Sequence, residues 1–389
     1  MSCRGVLFIA PRFHMNMTGW VEALVESGIP VRILVITKGF TEDYLSVEPE
    51  LIVPSKRSAD RVKKELSVAP STPPEDIWRG FFRPDIFWLA RQIKSSHFEV
   101  VVLREETRMF FVVSVLIRLF SPRTRVVLYH QRPLTPIPNR KSVKKGLRNQ
   151  AIRLGLLLGG ASEASPVLAR NTLSDREFED LTKTHGNKFL PFLINKPQPE
   201  PLEREDGVLR VLGIGKFREY KSWDVLVGAL KALPRTSSER IEVRIIGQAR
   251  LEAELAYLQK LEQELRAIPH LRNLVIQPNV DPKLMGDMYR WATCTLLTSR
   301  YEVAAVAPLE GMGFGAFPLV TSENGTNCYF EDGKSGLTFR AGDLNSLSRK
   351  LHTLVSQPAL TDNLRRGARE TISVRSKVND FFSSLQIET

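Results

Sequence analysis

Two glutamates eight positions apart could bind the hydroxyl groups of a nucleotide sugar. Glu302 ends the polar segment that follows the apolar run at residues 293–297, and Glu310 lies two positions after Pro308. The pattern predicts a buried strand, a loop and a helix whose first turn tolerates proline. Carboxylates on the loop and on the helix would accept hydrogen bonds from hydroxyls at the two ends of the ligand. The alternative is that both glutamates are solvated surface residues.

Two lysines five positions apart could bind a diphosphate. Gly215 ends another apolar run, and Lys216 and Lys221 follow it before a helical pattern begins. Two cations would neutralise the charge of a departing nucleoside diphosphate, although lysines on a loop are commonly only solvated. Gly247 ends the next apolar run, where the missing side chain would let a ligand approach the backbone.

A histidine also follows an apolar run. His130 comes directly after residues 126–129, at the predicted carboxyl end of a strand, where open α/β sheets bind ligands. The imidazole could hydrogen-bond a ligand hydroxyl or polarise a reacting group. A structural histidine with satisfied hydrogen bonds is the alternative.

Strand-like and helical runs alternate along the chain and predict the scaffold that positions these residues. Such alternation indicates parallel sheets covered by helices, so we expect an α/β fold of two doubly wound, Rossmann-like domains facing a cleft. No element is predicted for residues 41–76. The proline-rich segment at 190–201 is the strongest linker signal. The predicted divisions are an N-terminal domain at 1–195, a linker at 196–207, a C-terminal domain at 208–370 and a last helix at 371–389 that crosses back to the first domain.

Composition narrows the class of protein. The chain has 389 residues, 42% of them hydrophobic, which is ordinary for a globular protein of two domains. It contains no apolar run long enough to span a bilayer and no cleavable signal pattern, so a cytoplasmic location is expected. Cys3, Cys294 and Cys328 have no metal-binding spacing, which suits a reducing compartment and predicts no metal site.

The net charge of +12 is concentrated in part in one basic segment of the N-terminal half. Its cations are Arg140, Lys141, Lys144, Lys145, Arg148 and Arg153. Leucines and isoleucines recur between them at helical spacing, so we expect this segment to contact the acceptor or an anionic membrane surface. A solvated helix face is the alternative. Nucleic acid is not an expected partner, because no nucleic-acid-binding motif accompanies the charge.

The C-terminal half resembles the retaining GT-B glycosyltransferases of family 4, also described as glycosyl transferases group 1. Lys216 stands at the family's arginine position and Lys221 at its lysine, and the spacing from Glu302 to Glu310 matches its Glu-x7-Glu signature. Further matches follow in the family's order, at residues 245–247, 320–325, 332–337 and 342–343. Together the matches cover about residues 208–360.

In the N-terminal half the resemblance rests on fewer residues. Residues 24–31 are similar to the end of the family's first helix, His130 to a histidine that lines the donor site, and Asn195 to an asparagine at the domain junction.

The resemblance implies an enzyme of EC 2.4 type. It would transfer a hexose-type sugar from a UDP- or GDP-sugar, with retention of configuration and without a metal or other cofactor. The implied acceptor is a glycan or lipid-linked molecule, in the assembly of cell-surface polysaccharide or glycoconjugates. The resemblance also implies a cytoplasmic enzyme that associates peripherally with the inner face of the membrane. Family members generally use no protein nucleophile, so an internal-return mechanism is expected.

The resemblance also assigns roles to residues. Glu302 would contact the donor sugar, Glu310 the ribose, Lys216 and Lys221 the diphosphate, and His130 the transferred sugar. The implied catalytic residues are His130, Glu302 and Lys221. The implied donor-binding residues are Gly19, Gly215, Lys216, Lys221, Gly247, Glu302, Ala305, Val306 and Glu310.

The sequence departs from the family pattern at three places. Residues 302–305 read Glu-Val-Ala-Ala where the family has Glu-Gly-Phe-Gly, so side chains replace two glycines. The N-terminal loop has Gly19 where the family has paired glycines, and Lys216 lacks the forked donors of an arginine. These departures predict an altered pocket or an unusual donor. The alternative functions are a catalytically silent nucleotide-sugar-binding protein and a non-transferring relative such as an epimerase or hydrolase.

Overall fold

The N-terminal half forms a parallel β-sheet. The computed structural model describes residues 5–38, 46–68, 74–95, 98–104, 108–135, 160–194 and 207–387. The strands of this sheet are β1 (Gly5–Ala10), β2 (Val31–Val35), β3 (Glu50–Leu51), β4 (Phe98–Arg104), β5 (Arg125–Tyr129) and β6 (Ser162–Ala164). Their order across the sheet is β3-β2-β1-β4-β5-β6. The central strand β1 is buried along its whole length, as its continuous apolar sequence predicts for a sheet covered on both faces.

The C-terminal half repeats this arrangement. Its strands are β7 (Leu209–Ile214), β8 (Ile241–Gly247), β9 (Asn273–Pro278), β10 (Cys294–Leu297), β11 (Phe317–Thr321) and β12 (Leu337–Phe339). Their order is β12-β11-β10-β7-β8-β9, and each neighbouring pair of strands in this order is parallel. In each sheet the chain first adds strands on one side of its first strand and then on the other side, so the strand order switches between β1 and β4 and between β7 and β10. A crevice opens at the carboxyl ends of the strands at each of these two points.

Helices cover the two sheets. In the first half they are α1 (Thr18–Glu26), α2 (Lys56–Val68), α3 (Pro74–Phe81), α4 (Ile86–Ser95), α5 (Arg108–Phe120) and α6 (Asp175–His185). In the second half they are α7 (Trp223–Lys231), α8 (Arg235–Ser238), α9 (Glu252–Arg266), α10 (Met285–Trp291), α11 (Ala307–Gly313), α12 (Leu344–Ser356), α13 (Pro358–Arg375) and α14 (Val378–Leu385).

The two sheets are joined by a packed junction. Tyr329 is fully buried, and its hydroxyl donates to the Pro166 carbonyl at 2.7 Å and accepts from the Phe192 N–H at 2.9 Å. The last helix, α14, packs on the first half, where Phe381 stacks on Trp20 with ring centroids 5.9 Å apart. These contacts join the two halves of the chain.

The predicted fold class, two doubly wound sheets, is confirmed. Residues 41–76, for which no element was predicted, contain the two-residue edge strand β3, all of α2 and the start of α3. The helix α2 is strongly polar and buries only Ser58 and Val62, so its sequence has few apolar residues to reveal it.

Candidate active site

Lys221 and Glu302 form an ion pair at the crevice of the C-terminal sheet. Lys221 ends a short 3₁₀ turn after β7, and Glu302 lies on the loop after β10, so adjacent strands bring them together. Lys221 Nζ lies 2.5 Å from Glu302 Oε2, and the two side chains are 12% and 20% exposed. The Ser299 hydroxyl donates to the same carboxylate oxygen at 3.2 Å. Two residues for which the sequence predicts contacts with different parts of a donor therefore contact each other.

The loop that carries Glu302 is held against the turn after β11. The Glu302 N–H donates to the Glu323 carbonyl at 3.1 Å, and the Gly325 N–H donates to the Glu302 carbonyl at 3.2 Å. A Cβ on Gly325 would lie 1.9 Å from the Val303 carbonyl oxygen, so glycine is required for this contact. The loop is thus fixed by its backbone despite lacking the family's glycines.

An arginine of the N-terminal half also holds this loop. Arg170 Nη1 donates to the carbonyl of Glu302 at 3.2 Å and to that of Glu323 at 3.3 Å. The guanidinium also donates to the Tyr301 hydroxyl and lies 4.3 Å above that ring. Sequence reasoning missed Arg170, since nothing in the local pattern relates it to a loop 132 positions away.

Glu310 lies on α11 and is bound by a tyrosine of α10. The Tyr289 hydroxyl donates to Glu310 Oε2 at 2.5 Å. Burial raises the pKa of the Glu310 carboxyl group, and the hydrogen bond from Tyr289 opposes this rise in part. Burial and the neighbouring carboxylate raise the pKa of Tyr289 well above its usual value. A partly buried acceptor with spare lone pairs can bind the hydroxyls of a ribose.

Ala305 and Val306 connect the Glu302 loop to α11. Both are partly buried and pack against the main hydrophobic core. The Val306 carbonyl accepts from the N–H groups of Leu309 and Glu310 at 2.8 and 3.0 Å, which begins the helix. Their side chains therefore anchor the segment between the two glutamates.

The glycines predicted to approach a donor are in close contact with the protein itself. A Cβ on Gly247 would lie 1.6 Å from the Gly215 carbonyl oxygen, and one on Gly19 would lie 2.2 Å from that of Leu193. A Cβ on Gly215 would lie 3.2 Å from the Lys221 side chain. The close approach expected at Gly247 is thus made to neighbouring backbone, while Gly215 leaves room for the lysine that pairs with Glu302.

Lys216 faces the N-terminal half across the crevice. Its carbonyl accepts from Trp223 Nε1 at 3.2 Å. Burial, Arg104 and Arg12 hold the pKa of His14 well below its usual range, and the charge of Lys216 adds a smaller effect in the same direction. The charge of Lys216 therefore acts on a residue of the N-terminal half.

His130 follows β5 on the opposite sheet from Glu302. Its Nδ1 accepts the Arg132 N–H at 3.2 Å, so the neutral imidazole carries its hydrogen on Nε2. Nε2 lies 4.0 Å from the Glu163 carboxylate, and the His130 side chain is 9% exposed. Glu163, on β6, was not predicted, because its relation to His130 depends on strand order.

A cavity of about 520 Å³ borders this site on the outer side of the C-terminal half. Tyr220 and Arg300 line it next to the Lys221 loop, and Tyr257 and Glu264 of α9 line the far side. Burial and nearby carboxylates raise the pKa of Tyr257 to about 12. The cavity lies beside the crevice and not between the two sheets.

The basic segment at Arg140, Lys141, Lys144, Lys145 and Arg148, like Asn195, lies outside the described residues. Within the described ranges, no helix is long and apolar enough to cross a bilayer. The same part of the chain contains no group of three or more His, Cys, Asp or Glu side chains arranged to hold a metal ion.

Two Rossmann-like sheets with facing carboxyl edges, and a lysine–glutamate pair at one of them, define the GT-B class of fold. Solved structures agree over nearly the whole chain. The complex of Anabaena Alr3699/HepE with UDP and glucose is 13% identical, covers 97% of both chains and superposes with a TM-score of 0.58. Sucrose-phosphate synthase from Thermosynechococcus elongatus is also 13% identical, covers 98% of this chain and 97% of its own, and has a TM-score of 0.62.

Residues 195–371 match the family described as Glycosyl transferases group 1. Mannosylfructose-phosphate synthase of Agrobacterium fabrum is 26% identical over 116 residues, which is 30% of this chain and 26% of the relative. D-inositol 3-phosphate glycosyltransferase of Nocardiopsis dassonvillei is 26% identical over 185 residues, 44% of this chain and 42% of the relative. The chain therefore spans less than half the length of these curated relatives.

The resemblance to group 1 GT-B glycosyltransferases is thus confirmed for fold and family. The relatives are named as glycosyltransferases or synthases, which is the EC 2.4 class that the sequence predicted.

Proposed function

We propose that this chain transfers a hexose-type sugar from a nucleotide-sugar donor to a glycan or lipid-linked acceptor, with retention of configuration. The observation that carries the proposal is the Lys221–Glu302 pair, 2.5 Å apart, with Glu310 on the next helix at the same sheet edge. The family match and the complexes of the Anabaena protein with UDP and UDP-glucose support a donor of this kind.

In this proposal Lys221 has two partners. An ammonium group has three donors, so Lys221 can keep its bond to Glu302 and also donate to the donor's diphosphate. Lys216 would supply a second cation, and Glu310 would accept hydrogen bonds from the ribose. Positioned cations in a partly buried site stabilise the negative charge that develops on the leaving diphosphate.

The transfer itself needs no protein nucleophile. The bond from the anomeric carbon to the diphosphate oxygen breaks, and the acceptor hydroxyl forms the new bond on the same face. The proton of that hydroxyl passes to the departing phosphate oxygen. Glu302 and His130 would hold the sugar during this exchange, so catalysis rests on positioning and on charge stabilisation.

The first test is a thermal-shift titration of the purified protein with UDP, GDP and their common sugar conjugates. A bound nucleotide raises the melting temperature with the logarithm of its concentration over its dissociation constant. We expect one base to be preferred and the shift to disappear in Glu310→Ala. Glu370→Ala, an exposed glutamate of α13, is the matched control. A well-folded protein that responds to no nucleotide would refute the proposal.

A second measurement separates transfer from the alternatives. Donor consumption that requires an acceptor supports a transferase, and consumption in its absence indicates a hydrolase or epimerase. Nucleotide binding without any consumption would instead identify a catalytically silent protein.

A role at the inner face of the membrane, in surface polysaccharide or glycoconjugate assembly, is also part of the proposal. It is supported by the basic composition of the segment at residues 140–148. Neutralising Lys141, Lys144, Lys145 and Arg148 together should abolish binding to anionic vesicles. Unchanged vesicle binding would refute this part.

A further inference from the structure

The cavity on the outer side of the C-terminal half has no role in the proposed transfer. Its volume of about 520 Å³ lies within the range of small-molecule sites. Its lining comes from the 3₁₀ turn at Glu219–Lys221, from the first turn of α7, from α9 and from Arg300. A pocket of this size, built from several elements beside the candidate active site, is large enough to hold a ligand of its own.

Aromatic rings and charges of both signs line this cavity. Tyr220 and Tyr257 supply the rings, and Tyr220 is 46% exposed. The charged residues of the lining are Glu219, Asp224, Glu264, Lys260 and Arg300. An ionic ligand of either sign would meet repulsion from part of this lining. A neutral ligand with many hydroxyl groups can instead donate to the carboxylates and accept from the cations.

Tyr257 of α9 adds a neutral hydroxyl to these groups. Burial is the main cause that raises the pKa of Tyr257 to about 12, and the carboxylates of Asp224, Glu219 and Glu264 add to the rise. The backbone N–H of Trp223 opposes it in part. The Tyr257 hydroxyl therefore stays protonated even in alkaline solution and can donate a hydrogen bond to a ligand. The electron-rich face of a tyrosine ring also attracts the C–H groups of a sugar ring.

Backbone hydrogen bonds connect the cavity to Lys221. The Arg300 N–H donates to the Tyr220 carbonyl at 3.3 Å, and the Thr298 hydroxyl donates to the Lys221 carbonyl at 2.7 Å. Ser222 follows the turn with a φ of +52°, a left-handed conformation that residues other than glycine adopt at an energetic cost. A ligand that contacts Tyr220 and Arg300 would stabilise this strained turn and, with it, the position of Lys221.

We propose that this cavity is a second sugar-binding site, whose occupancy favours the binding of nucleotide in the crevice. It takes a neutral monosaccharide or disaccharide, which packs on the tyrosine rings, donates to Asp224 and Glu264 and accepts from Arg300. The binding of sugar in the cavity is independent of the proposed transferase function. The effect on nucleotide binding rests on that function, because it acts through Lys221.

The first experiment titrates the full chain with maltose, lactose and cellobiose and follows binding by saturation-transfer NMR. We expect saturable binding of at least one disaccharide, weakened about tenfold or more in Asp224→Ala and in Glu264→Ala, because each variant loses a hydrogen bond to a carboxylate. Glu262→Ala changes a residue of the same helix that does not line the cavity, so it is the matched control and should bind as the wild type does.

The second experiment measures the affinity for UDP by calorimetry, with and without a saturating concentration of that disaccharide. We expect the sugar to tighten UDP binding by about fivefold or more, and UDP to tighten sugar binding by the same factor, since coupling between two sites is reciprocal. Asp224→Ala should bind UDP as the sugar-free wild type does, whether or not the sugar is present.

Several results would overturn this assignment. Wild-type protein that binds none of the three disaccharides would do so, and so would undiminished binding in Asp224→Ala and Glu264→Ala, which would place the sugar elsewhere. Saturable binding of choline or inorganic phosphate, with no sugar bound, would overturn the class of ligand. A UDP affinity that does not respond to bound sugar would overturn the coupling. Protein that binds the sugar and no UDP would refute the proposed function and leave the sugar site standing.

Discussion

Replacing Glu310 by glutamine is expected to stabilise the free protein and to weaken its binding of nucleotide. Burial raises the pKa of this carboxyl group, which means that the ionised form is disfavoured in the folded state. Glutamine has nearly the same shape and can still accept the hydrogen bond from Tyr289, which is 2.5 Å long in the wild type. It carries no charge to bury, so the free protein gains stability.

The gain in stability depends on pH. An unfolded glutamate has a pKa near 4.5, so above that value and up to the higher folded-state pKa the folded protein binds more protons than the unfolded chain. The stability of the wild type therefore falls as the pH rises through this window, and the penalty is absent at lower pH. The difference in melting temperature between Glu310→Gln and wild type should grow with pH through the window and then level off.

The loss of nucleotide affinity should be large. A hydrogen bond from a ribose hydroxyl to an ionised carboxylate is worth about 1.5–3 kcal/mol, which corresponds to about a 10- to 150-fold change in dissociation constant. Calorimetric titration with nucleotide at pH 8 measures this loss, and thermal unfolding across pH measures the stability. Glu370→Gln is the control for both. A variant that is destabilised at every pH and binds nucleotide normally would show that Glu310 is purely structural.

Three further substitutions test the contacts around the site. Lys221→Met removes the cation beside Glu302 and should weaken nucleoside diphosphate binding about tenfold or more, while Lys221→Arg should retain part of the affinity. If Lys221→Met bound the nucleoside diphosphate as tightly as the wild type, Lys221 would not bind the diphosphate. Arg170→Met releases the Glu302 loop and should weaken binding of a nucleotide sugar more than binding of the nucleotide alone, as compared by calorimetry; equal losses would contradict this role. Gly247→Ala forces a Cβ to 1.6 Å from a backbone carbonyl oxygen and should lower the free energy of unfolding by about 1–3 kcal/mol, as measured by thermal unfolding. Gly80→Ala, where the added Cβ meets open space, should be neutral or stabilising. An unchanged stability of Gly247→Ala would refute the packing argument.

Much of the scaffold was predictable because it is recorded in local patterns. The continuous apolar run of β1 and the alternation of such runs with helical segments identify parallel sheets covered on both faces. Glu302 and Glu310 are separated by one loop and the start of α11, so their common position at a sheet edge also follows from local order. The polar helix α2 and the short strand β3 were missed because α2 contains few apolar residues and β3 consists of two exposed residues.

The partners of the candidate site residues were decided by the tertiary structure. Lys221 meets Glu302 because β7 and β10 are neighbours, although the two residues are 81 positions apart. Arg170 reaches the same loop from the other half of the chain, 132 positions away. By itself the sequence determined which elements form and which residues stand at their ends. The tertiary structure decided which charges pair, through the order of the strands and through the junction between the two sheets. Periodicity could not predict these pairs, because it reports local geometry and carries no information about distant neighbours.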